Sequence, residues 1–359
     1  MPGQNGALVG IRVARPSVAV NQRVDPNLAD GLLSLTICEQ TTGLYCCEAQ
    51  FGNWGAKNNT IGFLYFDRAT LDFGKPFAIK LGQDTIFDGR IVGLEAIFPE
   101  GQQPRLTVLA EDRFQDLRMT RRTRTFTNVS DSDVINQIAG DHGLTARVDL
   151  SGPTYKVLAQ VNQSDLAFLR ERVRAVDAEL WMEGRTLHAV ARSRRNSGTL
   201  KMAYGRTLRE FSVLADLAGQ RSSVTVSGWD VSAKSALKEQ ADDSAISNEL
   251  HGDTSGASVL GSTLGQRKEA LVHTVPLDAQ TARAEAEAYF RMSARRFIVG
   301  HGTADTDSQL RVGSYVDLQD LGPLFSGKYY VSEVTHLFDG AHGIRTHFTA
   351  ERPGLGRPA

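Results

Sequence analysis

The chain has 359 residues, 41% of them hydrophobic, and its 40 Lys plus Arg against 41 Asp plus Glu leave a formal charge of -1. That length allows about two or three domains with sizeable cores, while the balanced charge argues against a dedicated nucleic-acid or acidic-membrane binder, which carries a basic excess. "MPGQNGALVG" lacks the basic start and apolar run of a signal peptide, and no apolar run approaches the roughly 18–20 residues of a membrane span.

In chain order, residues 1–117 read as strands and make up most of an expected first β domain over 1–124. "SVAVNQ", "LLSLTICEQ", "GLYCCEAQF", "TIGFLYF", "PFAIKLG", "TIFDGRIVGLEAIF" and "PRLTVLAED" are short, rich in β-branched and aromatic residues, and punctuated by Gly, Asn, Asp or Pro. Such spacing predicts a sandwich or barrel. Cys38, Cys46 and Cys47 fall in this stretch. An odd count with an adjacent pair is a poor disulfide framework, so they are expected as reduced strand residues of a protein made in the cytosol.

Residues 125–204 change period and predict a small α/β connector. Ser130 and Asp133 have capping-box spacing, Val134, Ile135, Ile138 and Ala139 make a helical stripe, and Gly143 suits a left-handed C-terminal cap. A second helix starts at Ser164, with Leu166, Leu169, Val173 and Val176 as its buried stripe and Phe168 beside it. "ELWMEGRTLHAVA" predicts a hairpin turning at Gly184. The arginines at 118, 121, 122 and 124, and at 192, 194 and 195, are expected on solvated strand and loop faces.

Residues 205–359 return to strands. The stretch 231–270 shows no clear period and is expected as a long mobile loop. "DAQTARAEAEAYFRMSARRF" predicts a helix over about 279–296, capped by Asp278.

The two β regions echo each other. F-x-G occurs at Phe87/Gly89 and Phe325/Gly327, and strand-ending phenylalanines stand at Phe98 and Phe338. From these, identical spacing leads to Arg105 or Arg345 and then to Ala110-Glu111 or Ala350-Glu351. "FGKPFAIKL" and "VGSYVDL" match upstream, and on this alignment the second hairpin is two residues longer. Duplication predicts two similar β-barrel domains, and a ring of three such chains would present six of them.

Four stretches carry a resemblance to a known family: "FDGRIVGLEAIF…LTVLAEDRFQDLRMTRRTRTF", "TFTNVSDSDVINQIAGDHGL", "YKVLAQVNQSDLAFLRERV" and "LFSGKYYVSEVTHLFDGAHGIRTHFTAERP". In this order they resemble the gene-D-like late control proteins, the central baseplate hub of contractile phage tails and related injection systems. The signature residues are Ser164, Asp165, Phe168, Leu169 and Arg170, with Gly327 and Arg345 in the last hairpin. The resemblance implies a mainly β fold of two tandem tube-like barrels joined by an α/β connector. It further implies a homotrimeric, pseudo-sixfold ring in the tail baseplate of a virion or injection particle, assembled in the host cytoplasm and binding no cofactor. Its implied partners are itself, a spike, tail-tube or tube-initiator proteins and other baseplate proteins, with no membrane insertion. DNA or protein cargo could pass through such a ring. The chain ends at "ERPGLGRPA" without the needle of the injection-system relatives, so the spike is expected to be a separate protein.

Catalytic readings are weaker. Ser164-Asp165 would need a base such as His142 or His188, and no G-x-S-x-G surrounds Ser164. Helix capping by Ser164 and dipole compensation by Asp165 explain the pair, at about 0.5–2 and 0.3–1 kcal/mol. His336, His342 and His347 match no usual metal-ligand spacing. The acid pairs Glu111-Asp112 and Asp242-Asp243 raise a cell-wall hydrolase as the alternative function, but adjacent strand residues point to opposite faces and a mobile loop gives poor preorganisation. The expectation is a structural protein and not an enzyme, with a secretion-system spike protein as the alternative within that class.

Overall fold

The computed structural model describes residues 15–57, 59–230, 233–272, 276 and 278–356. The chain is mainly β. The first β region contains β1 (Ser17–Val20), β2 (Arg23–Val24), the short helix α1 (Pro26–Gly31), β3 (Leu32–Gln40) and β4 (Cys46–Gly52). It continues through the hairpin β5 (Trp54–Lys57) and β6 (Thr60–Phe63), then β7 (Pro76–Leu81), β8 (Asp84–Ile97) and β9 (Arg105–Glu111). Alternate inward residues such as Leu35, Ile37, Ala49, Phe51, Phe77, Ile79, Ile91 and Val108 fill its core, as the period of two requires.

The connector holds α2 (Phe114–Arg118), β10 (Arg121–Ser130), α3 (Asp131–Asp141), β11 (Thr145–Asp149), β12 (Thr154–Ser164), α4 (Asp165–Ala175), β13 (Ala178–Glu183) and β14 (Thr186–Ala191). The reciprocal capping box forms: Ser130 Oγ accepts from Asp133 N at 3.2 Å while Asp133 Oδ2 accepts from Ser130 N at 2.9 Å. Gly143 follows α3 with φ 62°, a left-handed turn that suits glycine. Its stripe Val134, Ile135, Ile138 and Ala139 is buried with Leu166, Phe168, Leu169 and Val173 of α4 in one core, and Phe168 stacks on Phe126 with ring centroids 5.8 Å apart.

The remaining elements are β15 (Thr199–Ala203), β16 (Leu208–Ala215), β17 (Ser223–Asp230), β18 (Ser235–Asp242), β19 (Thr254–Ser255), α5 (Gly256–Thr263) and β20 (Lys268–Leu271). After them come α6 (Ala279–Arg295), β21 (Ile298–Asp305), β22 (Tyr315–Gln319), α7 (Gly322–Phe325), β23 (Gly327–Asp339), β24 (Gly343–Arg352) and β25 (Gly354–Leu355). Asp278 caps α6 by accepting from Thr281 N at 2.7 Å.

Two expectations change here. The stretch 231–270 is structured where it is described: β18 pairs antiparallel with β17, β20 pairs parallel with it, and a 3-10 turn (Asp243–Glu249) and α5 lie between. Its buried residues are scattered, so no period shows. Tertiary packing of Val224, Val226 and Ala241 against Ala282, Ala286, Phe290 and Ala294 of α6 organises it. Secondly, the two β regions do not form separate closed barrels. β23 pairs with β3, so both regions belong to one open thirteen-stranded sheet running β16-β21-β24-β23-β3-β4-β9-β8-β7-β1-β2, with β22 beside β23 and β15 beside β22. Phe338 of β23 accordingly sits in the first core.

The internal echo extends well beyond sequence. β3-β4-β9-β8-β7 and β16-β21-β24-β23-β22 share one strand order. Arg90↔Glu111 and Ile97↔Arg105 recur as Tyr330↔Glu351 and Leu337↔Arg345, and the bulge at Ile91/Gly93 recurs at Val331/Glu333. The bulge at Leu32/Ser34 likewise recurs at Leu208/Glu210. Gly74 N donates to Ile91 O at 2.8 Å and Gly313 N donates to Val331 O at 3.0 Å. Bulges fix register, so their repetition is a strong signature of two copies of one design. The F-x-G match is corrected by this register. Gly89 opposes Phe77, whose counterpart Val316 opposes Tyr329, so Gly89 corresponds to Tyr329 and not to Gly327. The second hairpin carries no insertion.

Among the described residues, no helix is long and apolar enough to cross a membrane.

Candidate functional site

The signature segment lies where β12 hands over to α4. Ser164 Oγ accepts from Ala167 N at 3.2 Å, so it is a helix cap. Asp165 is 1% exposed, and its Oδ1 receives Arg124 Nη2 at 2.8 Å and Gln160 Nε2 at 2.9 Å. Its Oδ2 lies 2.8 Å from His142 Nε2 and 3.2 Å from Arg122 Nε. Burial alone would raise the Asp165 pKa, but these hydrogen bonds and charges hold the carboxyl below its ordinary value. His142 therefore does approach the signature, but it contacts the carboxylate while Ser164 is committed to the backbone. A nucleophile with its base is not assembled.

Arg170 reaches out of the connector: Nε donates to Thr42 O at 2.7 Å and Nη2 to Gly43 O at 3.0 Å, fastening α4 to the β3–β4 turn. Leu169 and Phe168 are core. Gly327 has φ 136°, and a Cβ there would meet the Arg352 guanidinium at 3.1 Å. Arg345 opposes Leu337 in the β23–β24 ladder.

The other candidates are dispersed. Asp112 is 4% exposed and accepts from Tyr45 N at 2.8 Å and Phe114 N at 2.9 Å; burial pushes its pKa up to about 7. Glu111 pairs with Arg118 at 2.6 Å. Asp242 ends β18 and caps the 3-10 turn through Ser244 N, and Asp243 accepts from Ser255 Oγ at 2.6 Å, so this acid pair lies at a structured corner and not in a mobile loop. His336 is fully buried with Nδ1 2.8 Å from Thr346 Oγ1, whereas His342 is exposed beside Asp339. Among the described residues, no group of three or more His, Cys, Asp or Glu is placed to hold a metal. Cys38 faces Cys46 across β3 and β4, and all three thiols are free.

The most concentrated polar site is one that sequence reading missed. Of Arg192 and Arg195, both expected in solvent, Arg195 is buried and Arg192 half-buried where the connector meets both β regions. Arg195 donates to Glu179 Oε2 at 2.9 Å, Tyr45 Oη at 3.1 Å and Val312 O at 2.9 Å, and its guanidinium lies 4.1 Å over the Trp181 ring. Tyr330 also donates to Glu179, and Arg192 pairs with Glu351 at 2.5 Å. Alongside, Arg295 of α6, 1% exposed, grips Asp177 and, at 2.6 Å, Glu249. Burial opposes the Arg295 charge, yet bonds to Glu249 and Asp177 outweigh it and raise its pKa. The available signal was two acids close together, Asp177 just before β13 and Glu179 within it, a short way upstream of Arg192 and Arg195 in sequence. The site's other partners, among them Tyr45, Val312 and Glu351 and, for Arg295, Asp177, lie more than 100 residues away and made it illegible. Glu179 Oε1 and Arg195 Nε have no hydrogen-bond partner among the described residues, while the remaining bonds tie the connector to both β regions.

This architecture is a tail-protein fold. The chain is similar to the 43 kDa tail protein of prophage MuSo2 from Shewanella oneidensis, at 12% identity and TM-score 0.69, covering 94% of this chain and 98% of that one. It is similar to a tail protein from Neisseria meningitidis, at 12% identity and TM-score 0.65, covering 95% and 97%. An Escherichia coli component of the type VI secretion system matches at 14% identity and TM-score 0.58, covering 95% and 79%. The family model described as the Alg8 N-terminal domain matches residues 63–339, and the chain belongs to that family. No curated protein matches it.

Proposed function

We propose that the chain is a non-enzymatic structural hub of a contractile phage tail or a related injection system. In this reading it is a gene-D-like protein whose three copies close into a pseudo-sixfold ring between a threefold spike and the sixfold tail tube. Its domains are the β regions 1–124 and 205–359, curled as tube walls, with the connector 125–204 between them. The observation that carries the reading is the repeated register: two β units of one design per chain give six per trimer, which reconciles threefold and sixfold partners. The tail-protein fold supports it. The likeness to a secretion-system component keeps the spike protein of such a system as the second reading. Light scattering on the purified chain, alone and with its spike, tests the proposal. A trimer that binds the spike is expected; a chain that stays monomeric and ignores the spike refutes it.

A further inference from the structure

Each repeated unit offers two edges, and within the chain only one of each is used. Glu333–Asp339 of β23, in the second unit, pair with Ser34–Gln40 of β3, in the first. The register places Gly93–Pro99 as the counterpart of Glu333–Asp339, and Glu210–Asp216 as the counterpart of Ser34–Gln40. Among the described residues, β8 pairs only with β7 and β9, and β16 only with β21, so these counterpart edges have no strand beside them.

Their side chains match that state. Phe338, opposite Leu35 in the occupied joint, is 4% exposed, whereas its counterpart Phe98 is 63% exposed. Leu214, the counterpart of Cys38, is 65% exposed. Long free edges bearing apolar residues are normally covered.

We propose that β8 of one chain pairs with β16 of the next copy, repeating between chains the β23–β3 joint found within each. Transferring the observed register sets Glu95 opposite Leu214 and Phe98 opposite Phe211 of the neighbour. The contact is head-to-tail, so its repetition closes a ring or propagates a filament. The choice of three copies rests on the hub reading above; the choice of edges does not.

Paired cysteines test it. Glu95 and Leu214 are both exposed, and their counterparts Thr335 and Cys38 stand directly opposite each other in the β23–β3 joint. Under mild oxidation E95C/L214C is expected to give a covalent trimer on a non-reducing gel, and an equal mixture of E95C and L214C only covalent dimers. Wild type, with its native thiols, serves as the blank, and E95C/E210C as the out-of-register control. Trimers by light scattering without cross-linking above that control would overturn the edge assignment and spare the ring. Monomers at every concentration, with no cross-link, would overturn both.

Discussion

Replacing Asp165 by Asn keeps the shape of the signature turn and removes its charge. The wild-type carboxylate receives Arg124 and Gln160 on one oxygen and His142 and Arg122 on the other. An Asn can offer an oxygen to only one of these sets and turns its NH2 toward the second. Hydrogen bonds to a charged group contribute about 1.5–3 kcal/mol each. The Arg122 side chain is 42% exposed, so its share is small, and Arg124 retains Asp141 at 2.7 Å. D165N is therefore expected to cost about 2–4 kcal/mol, below the full penalty for orphaning a buried ion. Urea unfolding supplies the magnitude, and faster amide exchange along α3 and α4 would place the loss in the connector. Because the folded pKa lies below the ordinary carboxylate value, the wild-type advantage holds above the unfolded pKa and fades as pH falls through the folded one. A loss under about 0.5 kcal/mol refutes the reasoning by showing that the cluster is not a stabilising joint.

Ser164→Ala should cost about 1 kcal/mol through the lost cap, seen as a lower urea midpoint, and leave assembly stoichiometry by light scattering unchanged. Arg295→Met strands Asp177 and Glu249 and should cost about 3–5 kcal/mol; adding Asp177→Asn should recover part of it in the same denaturation assay. His336, its pKa held down to about 3 by burial and the nearby Arg311 charge, binds its proton more readily unfolded, so its contribution is lost as pH drops below about 6.5. From pH 7 to 5 that loss is about 2 kcal/mol, and His336→Gln should flatten the stability slope by this amount when urea midpoints are compared across pH.

Local chemistry was legible in the sequence. The caps at Ser130, Ser164 and Asp278 are written in adjacent residues, so the helices start where propensity and hydrogen bonding place them. The strands of the first region follow from alternation. What sequence could not supply was long-range pairing. The β23–β3 joint, which merges two expected barrels into one open sheet, depends on segments some 300 residues apart and leaves no local mark. The same holds in part for the Arg195 and Arg295 clusters, whose partners include Tyr45, Val312 and Asp177, each more than 100 residues away. The F-x-G alignment failed for a different reason: matching letters outweighed register, and only the bulges fixed the correspondence.

The placement of Phe338 in the first core has a consequence for biosynthesis. A chain emerging from the ribosome can form β3 and β4 early, but β3 keeps one side open until β23 has been made. The N-terminal region must then wait through most of translation with a β-rich edge exposed, a state prone to mispairing with neighbouring nascent chains. Completing the sheet is a late event with a large loop to close, which slows folding. A chaperone that shields β3 during synthesis would act on the step this topology makes most hazardous.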